Sequence, residues 1–410
     1  MRQDGSTRGY IGPRLREIRV WRELTQQVVA DRAGLTKQFV SQVELGQKSV
    51  ERRSTLEALA SALQVAPSEL AGQPMLDMLA DPDIAAAQAT IAGLEAALTD
   101  VDFGEATVAP REWPAVATDL AVLNDQLRPT ADYAAQGTAL PDLITELNAL
   151  IGSAVAPQRD VLIGLVQCYH AASVVARNLG VRGLPALATW HARRVAEALE
   201  DPAWLGLAGW LRSVALGTTD RARAVAVATS AADELQHHLG DDTGKQMYGA
   251  LHLQAAMAAA ARLDAAGAVA HLDEAADVAA AVAPREDPRG FGSLYFGPAN
   301  VGIWRLAMAV ELGEPWKAQE LAAQVDPADV PSAARQSSYW SDLGRGLAAT
   351  RSTRESAVRA LRQAEDVAPV YTRTRPLVRE TVTHLLPRVK RDTPAGRELR
   401  GMAWRMGLAG

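Results

Sequence analysis

The run QQVVADRAGLTKQFVSQVEL, Gln26 to Leu45, leaves this chain few ways to fold locally. Two short helical stretches meet at Gly34, a residue that takes a positive φ without a Cβ penalty, so a tight turn falls there. Ala30 is small where a second helix must cross closely. Val29, Ala33, Leu35, Val40 and Val43 fall where both helices turn toward a shared core. Thr36 is suited to cap the second helix. Leu15, Ile18 and Trp21 or Arg22 stand at helical spacing before this unit, and Leu56, Leu59, Ala60 and Leu63 after it; Val65 to Leu70 begins one more short helix. The expectation is five short helices around a small core over residues 10–73.

The solvent edge of the second helix carries Lys37, Gln38, Ser41 and Gln42 and no apolar patch. Glutamine matches the N6/N7 edge of adenine and lysine the O6/N7 edge of guanine, so this chemistry suits a DNA major groove. Arg14, Arg16, Lys48, Arg52 and Arg53 are candidates for phosphate contact, although a single surface arginine is more often simply solvated. Up to Gln73 there are eleven basic and eight acidic residues, in a chain of 42 basic and 48 acidic. A basic head on an acidic body suggests that the head meets a polyanion.

The Thr25-Gln26 start and the Glu44-Leu45-Gly46 end resemble the XRE (Cro/C1-type) helix-turn-helix domain of phage-repressor-like regulators. The resemblance implies a DNA-binding face of Thr36, Lys37, Gln38, Ser41 and Gln42, with Gln26 on phosphate and supporting Gln38, and with Lys48, Arg52 and Arg53 on the flank. The chain departs from the commoner form at Val50-Glu51-Arg52-Arg53, where many members carry a proline and one residue fewer.

Gln73-Pro74 and Asp81-Pro82 bracket a linker, 74–82, because residues before proline are pushed out of the helical region. Beyond it strand alternation is nearly absent. Aromatics make up 5% of the chain, so the core is built from Ala, Leu and Val, which with an Ala/Leu bias favours helices. Helices are expected near 83–98, 113–127 and 139–152, within a connector spanning 83–155. Over 156–410 helix pairs are expected at a spacing of about 34 residues, the tetratricopeptide period. The best unit is Trp340-x-x-Leu343-Gly344-x-x-Leu347 followed by Ala357-x-x-x-Leu361-x-x-Ala364 and Pro369. Others use His252, Ala255 and Ala256 with Ala268, Leu272 and Ala275, or start near Trp204 and Trp304, and Leu162 to Ala198 reads as a further pair. The fold class is therefore all-α: a five-helix repressor-like domain followed by a tetratricopeptide-like solenoid.

A repressor-like head on such a body resembles the peptide-pheromone regulators, and more closely an actinobacterial set of regulators with a Phe-Gly-Pro-x-Asn-Val signature, here Phe296-Gly297-Pro298-Ala299-Asn300-Val301. That resemblance implies a homodimer responding to a peptide or small-molecule effector, with Asn300 holding the ligand. The bland reading of Asn300 is a helix cap beside the Gly-rich loop Gly290–Trp304. By register on tetratricopeptide helices, Arg305, and Ser341 with Arg345, face the concave side; Tyr295, Tyr248 and His252 are weaker ligand candidates. The rival reading is a protein-interaction scaffold whose head contacts DNA incidentally.

No HExxH, P-loop or GxSxG motif is present, so no enzyme is expected, nor any cofactor. Cys168 is the sole cysteine, which excludes an intrachain disulfide and any CxxC site. His237-His238 has no third ligand at metal spacing. The N-terminus lacks the apolar run of a signal peptide, and the longest uncharged stretch, Gln246–Ala261, is too short to span a bilayer. A cytoplasmic location with no membrane contact is the expectation.

Overall fold

The computed structural model describes residues 11–71, 81–103, 109–217, 220–283 and 285–408; all secondary structure among them is helical. Residues 74–80 of the expected linker lie outside the described residues.

The head contains α1 (Ile11–Trp21), α2 (Gln26–Ala33), α3 (Lys37–Glu44), α4 (Arg53–Ala62) and α5 (Pro67–Leu70). Its core joins Leu15, Ile18, Val29, Ala30, Val40, Val43, Leu56, Leu59, Ala60 and Leu63. Trp21 is 76% exposed, so α1 packs through Ile11, Leu15 and Ile18 instead. The turn forms as its residues require: Gly34 sits at φ 65° and ψ 30°, and the Thr25 and Thr36 hydroxyls accept hydrogen bonds from the amides of Val28 and Phe39.

The body begins with helices Pro82–Ala89, Ile91–Phe103 and Trp113–Val122, the last running through a π turn into Arg128–Thr130, and then Tyr133–Ala149. The expected stretches near 83–98 and 113–127 lie on these helices; the one placed at 139–152 starts earlier, at Tyr133. Helix pairs follow. Gln158–Asn178 packs with Leu184–Leu199, Pro202–Leu216 with Arg221–Leu235, and Asp242–Ala260 with Ala265–Ala280. Pro298–Glu311 packs with the short Ala318–Ala322, and Ala333–Ala348 with Arg354–Val367. The first helices of successive pairs also stack on one another, which makes an array.

The period is not the expected one. First helices start at residues 158, 202, 242, 298 and 333, so the intervals are 44, 40, 56 and 35 residues. Only the last approaches 34; the 56-residue interval carries the Gly290–Gly297 loop as an insertion between pairs. The best sequence unit does pack as its residues suggest. A Cβ on Gly344 would lie 2.7 Å from Leu361 Cγ, so the two helices approach as closely as they do because that side chain is missing. Helices Pro369–Arg373, Pro376–Leu385 and Pro394–Arg405 end the array over their own core of Val378, Val382, Leu385, Leu399 and Met402. No helix among the described residues is long and apolar enough to cross a membrane.

Candidate functional site

On α3 the free edge is polar. Lys37 and Gln38 are exposed, while Ser41 and Gln42 are half-buried against the domain. The amphipathic pattern enforces this: Val40 and Val43 are fully buried and fix the rotation of the helix, which leaves the other side to solvent. Thr36 is used as the cap. Lys48, just past the helix, is exposed with its ammonium 4.8 Å from the centre of the Phe39 ring. These residues form one hydrophilic strip able to donate to and accept from base edges.

Beneath the strip lies a charged clamp that the residue pattern marks only through its Glu-Leu-Gly signature. The Glu44 carboxylate, 8% exposed, accepts from Arg19 Nε at 2.6 Å and Nη2 at 2.9 Å. It also accepts from Gln26 Nε2 at 2.7 Å. Gln26 is thereby half-buried and tied to the end of α3, not lying free at the surface. The clamp joins α1, α2 and α3, and so fixes the angle at which the strip is presented.

The flank behaves differently from the expectation. Arg53, a candidate for phosphate contact, is turned into the protein. Its Nη1 donates to Glu311 Oε1 at 2.7 Å, and Glu311 is fully buried. The reason is local. Arg52 caps α4 without a side-chain hydrogen bond, so the first amide of that helix needs a partner, and Arg53 N donates to Glu311 Oε2 at 2.8 Å. A carboxylate from the body thus serves as the cap of a head helix, and the guanidinium neutralises it. Arg52 lies against Gly313 of the body. Burial alone would raise the Glu311 pKa, yet Arg53 and Arg345 outweigh it and hold it below the ordinary value.

A second body carboxylate does the same work. Glu380 accepts from Val50 N at 3.0 Å and from Ile11 N, the first amide of α1, at 3.5 Å. Arg345 Nη2 donates to the Glu51 carbonyl at 2.6 Å, Arg388 Nη2 to the Gln47 carbonyl at 3.0 Å, and Glu57 pairs with Arg221. The head is therefore docked through the loop after α3 and the start of α4, while Lys37 and Gln38 on α3 stay exposed.

Between α4, α5 and the array lies a cavity of about 510 Å³. The head contributes Leu56, Glu57 and Pro67 to its wall. Of the residues expected at a ligand, Asn300, Tyr295, Ser341 and Arg345 line it, and Arg305, Tyr248 and His252 do not. His252 is half-buried, its Nδ1 3.1 Å from His271 Nδ1 and its ring against Tyr248. Arg345 is held by Glu311 and Asp342 at 2.9 and 2.6 Å. Asn300 is not a helix cap: Gly297 occupies that position, and Asn300, 3% exposed, donates to the Leu294 carbonyl and accepts from Arg335 Nε at 2.8 Å. It thus ties the Gly-rich loop to an arginine of the cavity wall. Arg128, Arg177, Arg335 and Arg375 also line the cavity. No sequence signal singles them out, because arginine is common in this chain and nothing local distinguishes these four.

Cys168 is fully buried, with its thiol pushed up to about 12 by burial. Among the described residues no three His, Cys, Asp or Glu side chains gather as a metal site.

Residues 11–72 match a protein family described as a helix-turn-helix domain. Neither the curated proteins nor the solved structures gave a match to this chain. The match covers α1 to α5, and with the geometry above it makes the head a helix-turn-helix domain of the kind that binds DNA.

Proposed function

We propose that the protein is a sequence-specific transcriptional regulator that binds its operator as a homodimer in the cytoplasm, with the helical array dimerising and sensing a peptide or small-molecule signal. The single observation that carries this reading is the α3 strip: Lys37 and Gln38 remain exposed although the body covers the loop after α3. A head whose purpose was to grip the body would not need to keep that edge polar and open. One such head covers little DNA, so two heads in adjacent major grooves, about 34 Å apart, are expected. Lys48 supports the reading as a phosphate contact; Arg53 does not.

The array contacts the head through buried carboxylates, so a change in the array that moved Glu311 or Glu380 would move the heads relative to each other. No catalytic step is assigned to either part. The test is selection of bound DNA from a random pool, followed by footprinting. A two-fold symmetric site with steep salt dependence is the expected result. Weak, sequence-indifferent binding together with a co-purifying protein would replace this reading with the interaction-scaffold one.

A further inference from the structure

The cavity wall sorts its arginines into two sets. Arg53, Arg221 and Arg345 are each paired with a carboxylate, Glu311, Glu57 or Asp342. Arg128, Arg177, Arg335 and Arg375 have no carboxylate within ion-pairing distance among the described residues. The hydrogen-bond and ring partners of Arg128, Arg335 and Arg375 are neutral, and the one carboxylate that acts on Arg335, Asp342, does so through space while bonded to Arg345. Arg128 donates to Asn124 Oδ1 at 2.8 Å and to the Gly292 carbonyl, and stands 2.9 Å from His170 Nδ1. Arg335 donates to Asn300 and lies 4.9 Å from the centre of the Trp304 ring; Arg375 lies 4.5 Å from that of Tyr371. Arg177 lines the cavity and is exposed.

Four guanidinium groups around one cavity, none with a carboxylate of its own among the described residues and with Glu57 and Asp342 already engaged by Arg221 and Arg345, form a costly arrangement unless something anionic completes it. We propose that the cavity binds a small molecule bearing two or more anionic groups, carboxylate or phosphate, on an apolar or aromatic body, with Arg128, Arg177, Arg335 and Arg375 as its anchors. Guanidinium is the side chain that matches either oxyanion in bidentate fashion.

Independent observations agree. Burial should raise the Tyr371 pKa, but Arg375, a hydrogen bond with Ser338, Arg335 and Arg177 together bring it below the ordinary value. His170 is driven well below its ordinary pKa by burial and then by Arg128 and Arg177, so it is neutral and adds no competing charge. The Ser341 hydroxyl, on a residue 2% exposed that lines the cavity, has no hydrogen-bond partner among the described residues. Trp210, Trp304 and Leu294 supply the apolar wall. A cavity of 510 Å³ is in the range for small-molecule sites. As a sphere it would be about 10 Å across, the span of about three extended residues, which favours a compact ligand over a long peptide.

This deepens the sensing reading and rests on it only for the effect at DNA; the site itself is tested on the full-length protein alone. The probes are citrate, inorganic pyrophosphate and adenosine monophosphate, titrated calorimetrically and by thermal unfolding against sodium chloride of equal ionic strength. The expected result is saturable binding of at least one probe with a raised Tm, citrate or pyrophosphate leading according to whether carboxylate or phosphate is preferred. Arg177→Gln and Arg335→Gln should each weaken that binding tenfold or more while raising the Tm of the unliganded protein, because each removes an uncompensated charge. That rise distinguishes loss of a site from loss of the fold, and Arg335→Lys should recover part of the affinity. If no probe binds at millimolar concentration beyond the chloride control, or if the glutamine variants bind as the parent does, the proposal is overturned. Binding that leaves operator affinity unchanged supports the site and removes the sensing reading instead.

Discussion

The two sides of the head use similar residues for opposite ends. On α3, Lys37 and Gln38 are exposed to solvent. About one helix further on, Arg53 faces inward against a fully buried glutamate and Arg52 lies on the body's backbone. Both stretches are basic and polar, and by residue type alone either could meet DNA. What separates them is whether a carboxylate of another element waits within reach, a fact about residues more than 250 positions away. A cationic side chain is available to a polyanion only where the fold has not already neutralised it.

This contrast can be broken most directly at α3. Lys37→Ala, Gln38→Ala and Gln42→Ala combined should lower operator affinity at least 100-fold, since each side chain that reads a base edge is worth about 1–3 kcal/mol. The Tm should stay within a degree or two, since two of the three side chains are exposed; gel-shift titration with parallel thermal melts decides. Unchanged operator binding would remove α3 as the reading edge.

On the other side, Glu311→Ala strands Arg53, takes one of the two carboxylates from Arg345 and leaves the first amide of α4 without its partner. About 3–5 kcal/mol of stability should be lost in urea unfolding, the usual cost of breaking a buried ion pair. Arg53→Gln should likewise destabilise, yet leave the salt slope of DNA binding as it was. A reduced slope for Arg53→Gln would show that this arginine meets phosphate after all.

The docking of the head carries a pH dependence of known sign. Burial, reinforced by the nearby Glu51, raises the Glu380 pKa to about 7 against the hydrogen bonds from Val50 and Ile11. A carboxyl group with a raised native value contributes stability that is complete below its unfolded pKa, about 4.5, and is lost as pH climbs through about 7. Head and body should therefore separate more readily at pH 8 than at pH 5, by at most a few kcal/mol. Hydrogen exchange of the Val50 amide reports it, and Glu380→Gln should flatten the profile; a profile equally steep in that variant assigns the effect elsewhere.

Within the array, Gly344→Ala places a methyl 2.7 Å from Leu361 Cγ and should cost about 1–3 kcal/mol as overpacking. Stability equal to the parent's would mean that the helix pair relaxes apart without penalty. The smallest effect belongs to Lys48→Ala, which should weaken binding about equally across sequences and lower the salt slope by about 1. A loss confined to one operator sequence would make Lys48 a base reader.

Much of the head is legible in the sequence because it is local. Gly34 at the turn, Thr36 at the cap and the inward Val40 and Val43 follow from backbone freedom, capping chemistry and helical period, each decided within a few residues. These rules settle the turn and the α2–α3 pair, and the same rules mark Gly344 against Leu361. The repeat interval escapes them because a period assumes equal connections. The loop before Pro298 lengthens one interval to 56 residues without disturbing the packing of the helices on either side. Arg305 falls outside the cavity that Trp304 lines for a related reason: a register error of one residue turns a side chain about 100° around its helix.

By itself the sequence determined that the chain is helical, that its first segment is a helix-turn-helix and which edge of α3 is polar, because period, glycine and caps act between near neighbours. Tertiary structure alone decided that Glu311 and Glu380 cap amides of the head, that Arg53 belongs to the interior, and that four distant arginines converge on one cavity. Charge acts through space and is indifferent to order along the chain, so only the folded arrangement says which charges meet.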